Sequence, residues 1–171
     1  MGKYKTKHFG EIELSIEDDG IWAYFDTMYN GQDITVVFAN YKFYGDKINV
    51  CWEIIDKYDE INKIAKRAIV ETFPKKEVSV NIYFKRLFEN DMTEEELINV
   101  FGVKDFKNLN IKKTVEKFVC PNIIFNIEDD NIDFSVGYLL SKKYSDKILL
   151  VIMDEKINIK GFRSARYPNL H

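Results

Sequence analysis

Between Phe9 and Glu17 the chain alternates, with Phe9, Glu11 and Glu13 on one side and Ile12, Leu14 and Ile16 on the other. That is the period of a half-buried strand. Asp18-Asp19-Gly20 follows as a turn, and Ile21 to Met28 and Ile34 to Ala39 read as two further strands. The segment joining them holds Asn30-Gly31, the dipeptide that best tolerates the two positive φ angles of a tight hairpin. The first third of the chain is therefore predicted to be a three-stranded antiparallel meander.

At Asp46 the period lengthens. Ile48, Cys51, Trp52, Ile55, Tyr58, Ile61, Ala65, Ala68, Ile69 and Phe73 mark one face of a long helix, with Asp56, Lys57, Asp59, Glu60, Lys63, Lys66 and Arg67 on the other. Asp46 is placed as its N-cap and Pro74 as its stop. Glu77 to Asn90 fits a second helix, although Val78 to Ile82 also alternates as a strand would. A third helix is marked by Thr93 with Glu96, a capping box, by the stripe Leu97, Ile98 and Phe101, and by Gly102 just past its end. After a Lys- and Asn-rich connector, strands are predicted at Val119 to Glu128, Ile132 to Leu140, Lys147 to Met153 and Ile157 to Phe162. Strands, then helices, then strands predict one α+β domain over residues 1–171: a β meander (9–45), a helical segment (46–102) and a β segment (118–164). Two to three central helices should pack on antiparallel sheet.

Composition narrows the possibilities. With 171 residues, 46% of them hydrophobic and 15% aromatic, the chain can bury a core without metal or disulfide support. No secretory signal opens it, and its longest apolar run, Ile148 to Met153, is far shorter than a bilayer helix, so a cytoplasmic protein is expected. Cys51 and Cys120 sit among apolar neighbours and read as reduced, buried thiols. The net charge of −3 hides an uneven distribution. Residues 1–8 and 156–171 hold seven bases and no acid; the remaining 18 bases face all 28 acids, so the body carries −10. A general nucleic-acid partner is not expected for such a surface.

Few residues offer chemistry. The glycines stand apart, so no phosphate-cradling loop is present, and the two imidazoles, His8 and His171, lie at opposite ends. Asp129, Asn131 and Asp133 begin like a calcium loop, but Phe134 replaces the turn glycine and Leu140 the bidentate acid, so Glu128 to Asn131 reads as a solvated hairpin turn. Glu17 to Gly20 reads likewise. No catalytic residue, metal ligand or cofactor is assigned. Trp52 belongs to a helix's apolar face and is expected in the core, whereas Trp22 opens a strand and can face a partner. The aromatic group Tyr24, Phe25, Tyr29, Phe38, Tyr41, Phe43 and Tyr44 is read first as core, with an exposed patch as the alternative. Lys156 to Arg166 reads as a last strand whose cations guard an edge.

The opening Phe9 to Leu14, the Asn30-Gly31 hairpin, the helical Tyr58 to Ile69 and the late Ser145 to Glu155 resemble a family of small bacterial domains of unknown biochemical function, some of them similar to immunity proteins. The resemblance implies a protein that binds and neutralises a toxin, with no catalytic residue to carry over. A protein partner, such as a basic toxin, would meet the acidic surface, with Asp18, Asp19, Trp22, Asp129 and Asp130 as candidate contacts. Two alternatives stand beside it: a carboxylate-dependent hydrolase using a divalent metal, and a self-associating structural subunit.

Overall fold

The computed structural model describes residues 3–75, 78–141 and 143–166. The predicted helix start at Glu77 and the terminal His171 lie outside them. Strands β1 (Lys3–Thr6) and β2 (Gly10–Glu13) form a separate hairpin. The strands β3 (Ser15–Ile16), β4 (Trp22–Tyr29), β5 (Gln32–Ala39), β6 (Val119–Glu128), β7 (Asn131–Leu139), β8 (Lys147–Asp154) and β9 (Ile159–Arg166) stand side by side, in chain order, in a seven-stranded sheet. Between β5 and β6 run α1 (Ile48–Ile55), α2 (Tyr58–Thr72), α3 (Val78–Arg86), α4 (Glu94–Phe101) and α5 (Ile111–Glu116). The class is α+β, as the patterning predicts, but five helices form among the described residues where two to three are expected, because the long helix is split in two and α5 forms within the Lys- and Asn-rich connector, where Asn110 Oδ1 accepts from Lys113 N–H as its N-cap. Among the described residues no helix is long and apolar enough to cross a membrane.

The β3–β4–β5 meander and the β6–β9 strands are each antiparallel, and they meet at one parallel pair, with Val36 beside Ile123 and Phe38 beside Phe125. That join refines the expectation of antiparallel sheet alone. A parallel neighbour needs a long crossover, and here the entire helical segment supplies it.

Alternation decides which side of the sheet the helices cover. Ala23, Phe25, Val36, Phe38, Ile123, Phe125, Phe134, Val136, Leu149 and Val151 are buried on one face. Trp52 of α1 packs on Phe25 and Phe38, with ring centroids 5.9 and 5.4 Å away, and Tyr138 of β7 donates to Asn62 Oδ1 of α2 at 2.8 Å. The other face is set by Trp22, Tyr24, Asp26 and Met28 of β4 and by their counterparts on the later strands.

Three local expectations are corrected. The strand over Phe9–Glu17 is divided: Gly10–Glu13 folds back on β1, and only Ser15–Ile16 joins the main sheet, leaving Ile16 exposed at its margin. The long helix breaks after Ile55, where the β1–β2 hairpin docks: Lys7 N–H donates to Asp56 Oδ1 at 2.6 Å, and His8 Nε2 lies 3.0 Å from the Asp56 carbonyl. Asp46 lies in a 3-10 turn and does not cap α1, whose N-cap is Lys47 with no side-chain bond. The second helix forms at Val78–Arg86 and runs into a π turn at Leu87–Asp91.

Candidate functional site

Glu17 to Gly20 forms a compact turn in which Gly20 N–H donates to the Glu17 carbonyl at 2.8 Å and Asp19 Oδ1 accepts from Ile21 N–H at 2.8 Å. Gly20 takes φ +67°, a conformation that costs a residue without Cβ little. Asp18 and Asp19 are exposed at this tip. Immediately after it, β4 alternates: Ala23 and Phe25 enter the core while Trp22, Tyr24 and Met28 emerge 43%, 38% and 66% exposed. Asp26 stands between the last two, fixed by the Thr35 hydroxyl at 2.6 Å, and Asp33 lies opposite Met28 on β5. Residues 9–41 contain Glu11, Glu13, Glu17, Asp18, Asp19, Asp26 and Asp33 and no Lys or Arg. The strip of Trp22, Tyr24 and Met28 thus carries Asp26 within it and the Asp18-Asp19 tip at one end, whereas Glu11 and Glu13 lie opposite Lys5 and Lys3 on the separate hairpin, and Lys42 N–H donates to the Gly20 carbonyl beside the tip at 2.9 Å.

The second acidic turn lies at the same end of the sheet. Asp129 and Asp130 adopt φ of 45° and 66°, the primed turn of a tight hairpin, with Asn131 Nδ2 donating to the Asp129 carbonyl at 3.0 Å. Asp130 is already engaged: Lys47 Nζ lies 2.8 Å from its Oδ1 and 2.7 Å from its carbonyl, and this lysine holds the carboxyl below its usual range. An open depression lined by Asn40, Phe43, Ile127, Asp129 and Asp130 lies beside it, with the Phe43 ring largely exposed. In the sheet order the two turns are about three strand spacings apart, roughly 14 Å, with the segment after β5 between them. Asp18, Asp19 and Trp22 therefore form one group and Asp129 and Asp130 another. Among the described residues no three His, Cys, Asp or Glu side chains gather as a metal site.

The aromatic group divides. Phe25, Phe38 and Tyr44 are core, Tyr29 and Tyr41 half-buried, Tyr24 and Phe43 exposed. Trp52 is buried and stacks on Tyr4 at 4.5 Å. Cys51 and Cys120 are free and buried, and burial pushes both thiols up to about 12. The basic C-terminal strand is the far edge of the sheet, where Lys160 pairs with Asp133, and Arg166 with Asp146 at 3.6 Å.

Sequence reasoning singled out Tyr24 only within the aromatic group and did not single out Asp26, Met28 and Asp33, although the period-two pattern that places Trp22 outward carries them with it. It also gave His8 no role beyond its place near one end of the chain. The imidazole instead packs edge-on against Tyr29 with centroids 5.5 Å apart, its Nδ1 4.0 Å from Asp59 Oδ2, while Tyr29 donates to both Asp59 oxygens at 3.0 Å. That hydrogen bond to a carboxylate raises the Tyr29 phenol above its ordinary value.

No family model, no curated protein and no solved structure matches the chain.

Proposed function

We propose that the protein is a non-catalytic binding domain that neutralises a basic toxin by occluding it, in the manner of an immunity protein. The observation that carries this reading is the outward face of β4, where Trp22, Tyr24 and Met28 are exposed with Asp26 between them, Asp33 opposite Met28 and the Asp18-Asp19 tip beyond Trp22. Large aromatic side chains supply affinity when a partner desolvates them, and a rim of one charge sign speeds encounter with an oppositely charged partner. A toxin that acts on nucleic acid must itself present a positive cleft, which such a surface complements. The resemblance to immunity-like domains supports the same reading.

The test is association with the products of the genes adjacent to this one, a basic toxin being expected among them, together with rescue of growth when both are expressed. Binding should be saturable, and its association rate should fall about tenfold or more between low and high salt. Trp22→Ala should abolish rescue while circular dichroism still shows a folded chain, because the indole lies on the solvent face, 43% exposed. No saturable complex, or rescue that survives Trp22→Ala, contradicts the reading.

A further inference from the structure

The two outer strands of the seven-stranded sheet are finished differently. On β9 the edge carries Lys160, Arg163 and Arg166, and Lys160 is the extra residue of a bulge, since Ile152 pairs with Gly161 and Met153 with Ile159. Cations and bulges are the ordinary means of keeping an edge from pairing with another chain. At the opposite side β3 is only two residues long and meets β4 at Ala23 and Tyr24 alone. Among the described residues, β4 from Phe25 to Tyr29 has a strand partner only on its β5 side. This stretch, Phe-Asp-Thr-Met-Tyr, holds no Lys, Arg, Pro or Gly, and its pairing with β5 runs without a bulge.

We infer that this open edge of β4 accepts an extended basic segment of the partner as an additional strand; the inference rests on the binding role proposed above and specifies its mode. Backbone N–H and C=O groups along an unpaired edge give such a segment its register, and alternate side chains give it selectivity. On the solvent side the incoming residues would lie beside Tyr24, Asp26 and Met28, within reach of Asp33 across the strand. On the helix side Phe25 is buried and Phe9 packs on it and on Tyr29 at 6.3 and 5.7 Å, so the incoming residues would meet the half-buried Tyr29 there. The chemistry that fits is a strand alternating cationic with apolar side chains. Charge also selects the occupant. A second copy of this chain would bring Asp26 and Asp33 towards their own equivalents, and like charges side by side destabilise a strand pair. A cationic strand meets those two carboxylates instead.

The probe is an acetylated, amidated peptide, Lys-Val-Lys-Val-Lys-Val-Lys, titrated at low salt into the full chain and followed by fluorescence polarisation. Its controls are the same peptide N-methylated at alternate backbone nitrogens, once for each edge, and a peptide with Glu for Lys. Saturable binding is expected, weakened at least tenfold by methylation of one edge and absent with Glu. The double variant Asp26→Lys/Met28→Lys, at two exposed positions, should also weaken it at least tenfold while its circular dichroism spectrum stays that of the folded chain. Absence of saturable binding, indifference to methylation, or equal binding by the double variant overturns strand addition. So does a wild-type dimer in sedimentation that the double variant abolishes, because the edge then belongs to a second copy. A toxin that still binds and is neutralised by the double variant, yet not by Trp22→Ala, refutes the strand mode and leaves the neutralising role intact.

Discussion

Gly137 on β7 gives a measurable test of how the solvent face of the sheet is filled. A Cβ there would lie 2.1 Å from Asn122 Oδ1, 2.3 Å from Ile148 Cδ1 and 3.0 Å from Ile148 Cγ1. Asn122 and Ile148 are each only 1% exposed, so neither side chain has solvent to swing into. Overpacking of this kind costs about 1–3 kcal/mol, and at roughly 2–4 °C per kcal/mol for a chain of this size, a loss of about 2 kcal/mol lowers the melting temperature by about 4–8 °C. Gly161 is the control: a Cβ there meets nothing within 4 Å, so Gly161→Ala should stay within about 0.5 kcal/mol of wild type. Asn122 adds a second handle, because neither its Oδ1 nor its Nδ2 has a hydrogen-bond partner among the described residues. Asn122→Ala therefore removes a buried amide at little cost, and the double variant Asn122→Ala/Gly137→Ala should recover about 1 kcal/mol or more relative to the sum of the singles. Urea unfolding and calorimetry on the four proteins complete the cycle. An unperturbed Gly137→Ala, or single-variant effects that merely add, would refute this packing at the centre of the face.

Three further outcomes follow from local structure. Thr93→Ala removes the hydroxyl that accepts from Glu96 N–H at 3.3 Å and should cost about 1 kcal/mol in urea unfolding. Glu96 is held below its ordinary value of 4.5 by the Thr93 N–H and then its hydroxyl. Its contribution is therefore complete above that value and is lost as pH falls through the lower folded one, and Glu96→Gln should flatten this acid limb. Cys51 and Cys120, with thiols raised to about 12 by burial, should resist a thiol reagent at pH 8 until the chain unfolds, so labelling faster than unfolding would contradict their placement.

Where the determinants are local, the chain is readable. Asn30 and Gly31 take φ of 51° and 75°, as their hairpin requires, Thr93 and Glu96 form the expected capping box, and Gly102 ends α4 at φ 74°. Period-two alternation places Trp22 outward. The remainder depends on contacts distant in sequence. The helix break after Ile55 answers to Lys7 and His8, about fifty residues earlier, and no feature of its 3.6-residue period announces them. The parallel join of β5 to β6 spans the entire helical segment, so two apolar strands carry no local mark of their adjacency. Lys47 lies remote from Asp130 in the chain, which is why that aspartate reads as free until the fold pairs them. Asp26 and Asp33 look like ordinary strand polars until β4 and β5 put them around Met28.

Relocating charge tests the account most directly. Asp18→Lys, Asp26→Lys and Asp33→Lys together reverse the rim around Trp22, whereas Glu60→Lys, Glu71→Lys and Glu116→Lys make the same change in net charge on the helical layer. Association of each triple variant with the basic toxin would be measured across a salt series, with circular dichroism confirming the fold. The rim variant should bind about a hundredfold more slowly and lose its salt dependence, while the helical variant stays within about threefold of wild type. Equal losses from both would reduce the effect to net charge, and a rim variant that binds as wild type does would remove the surface from the account.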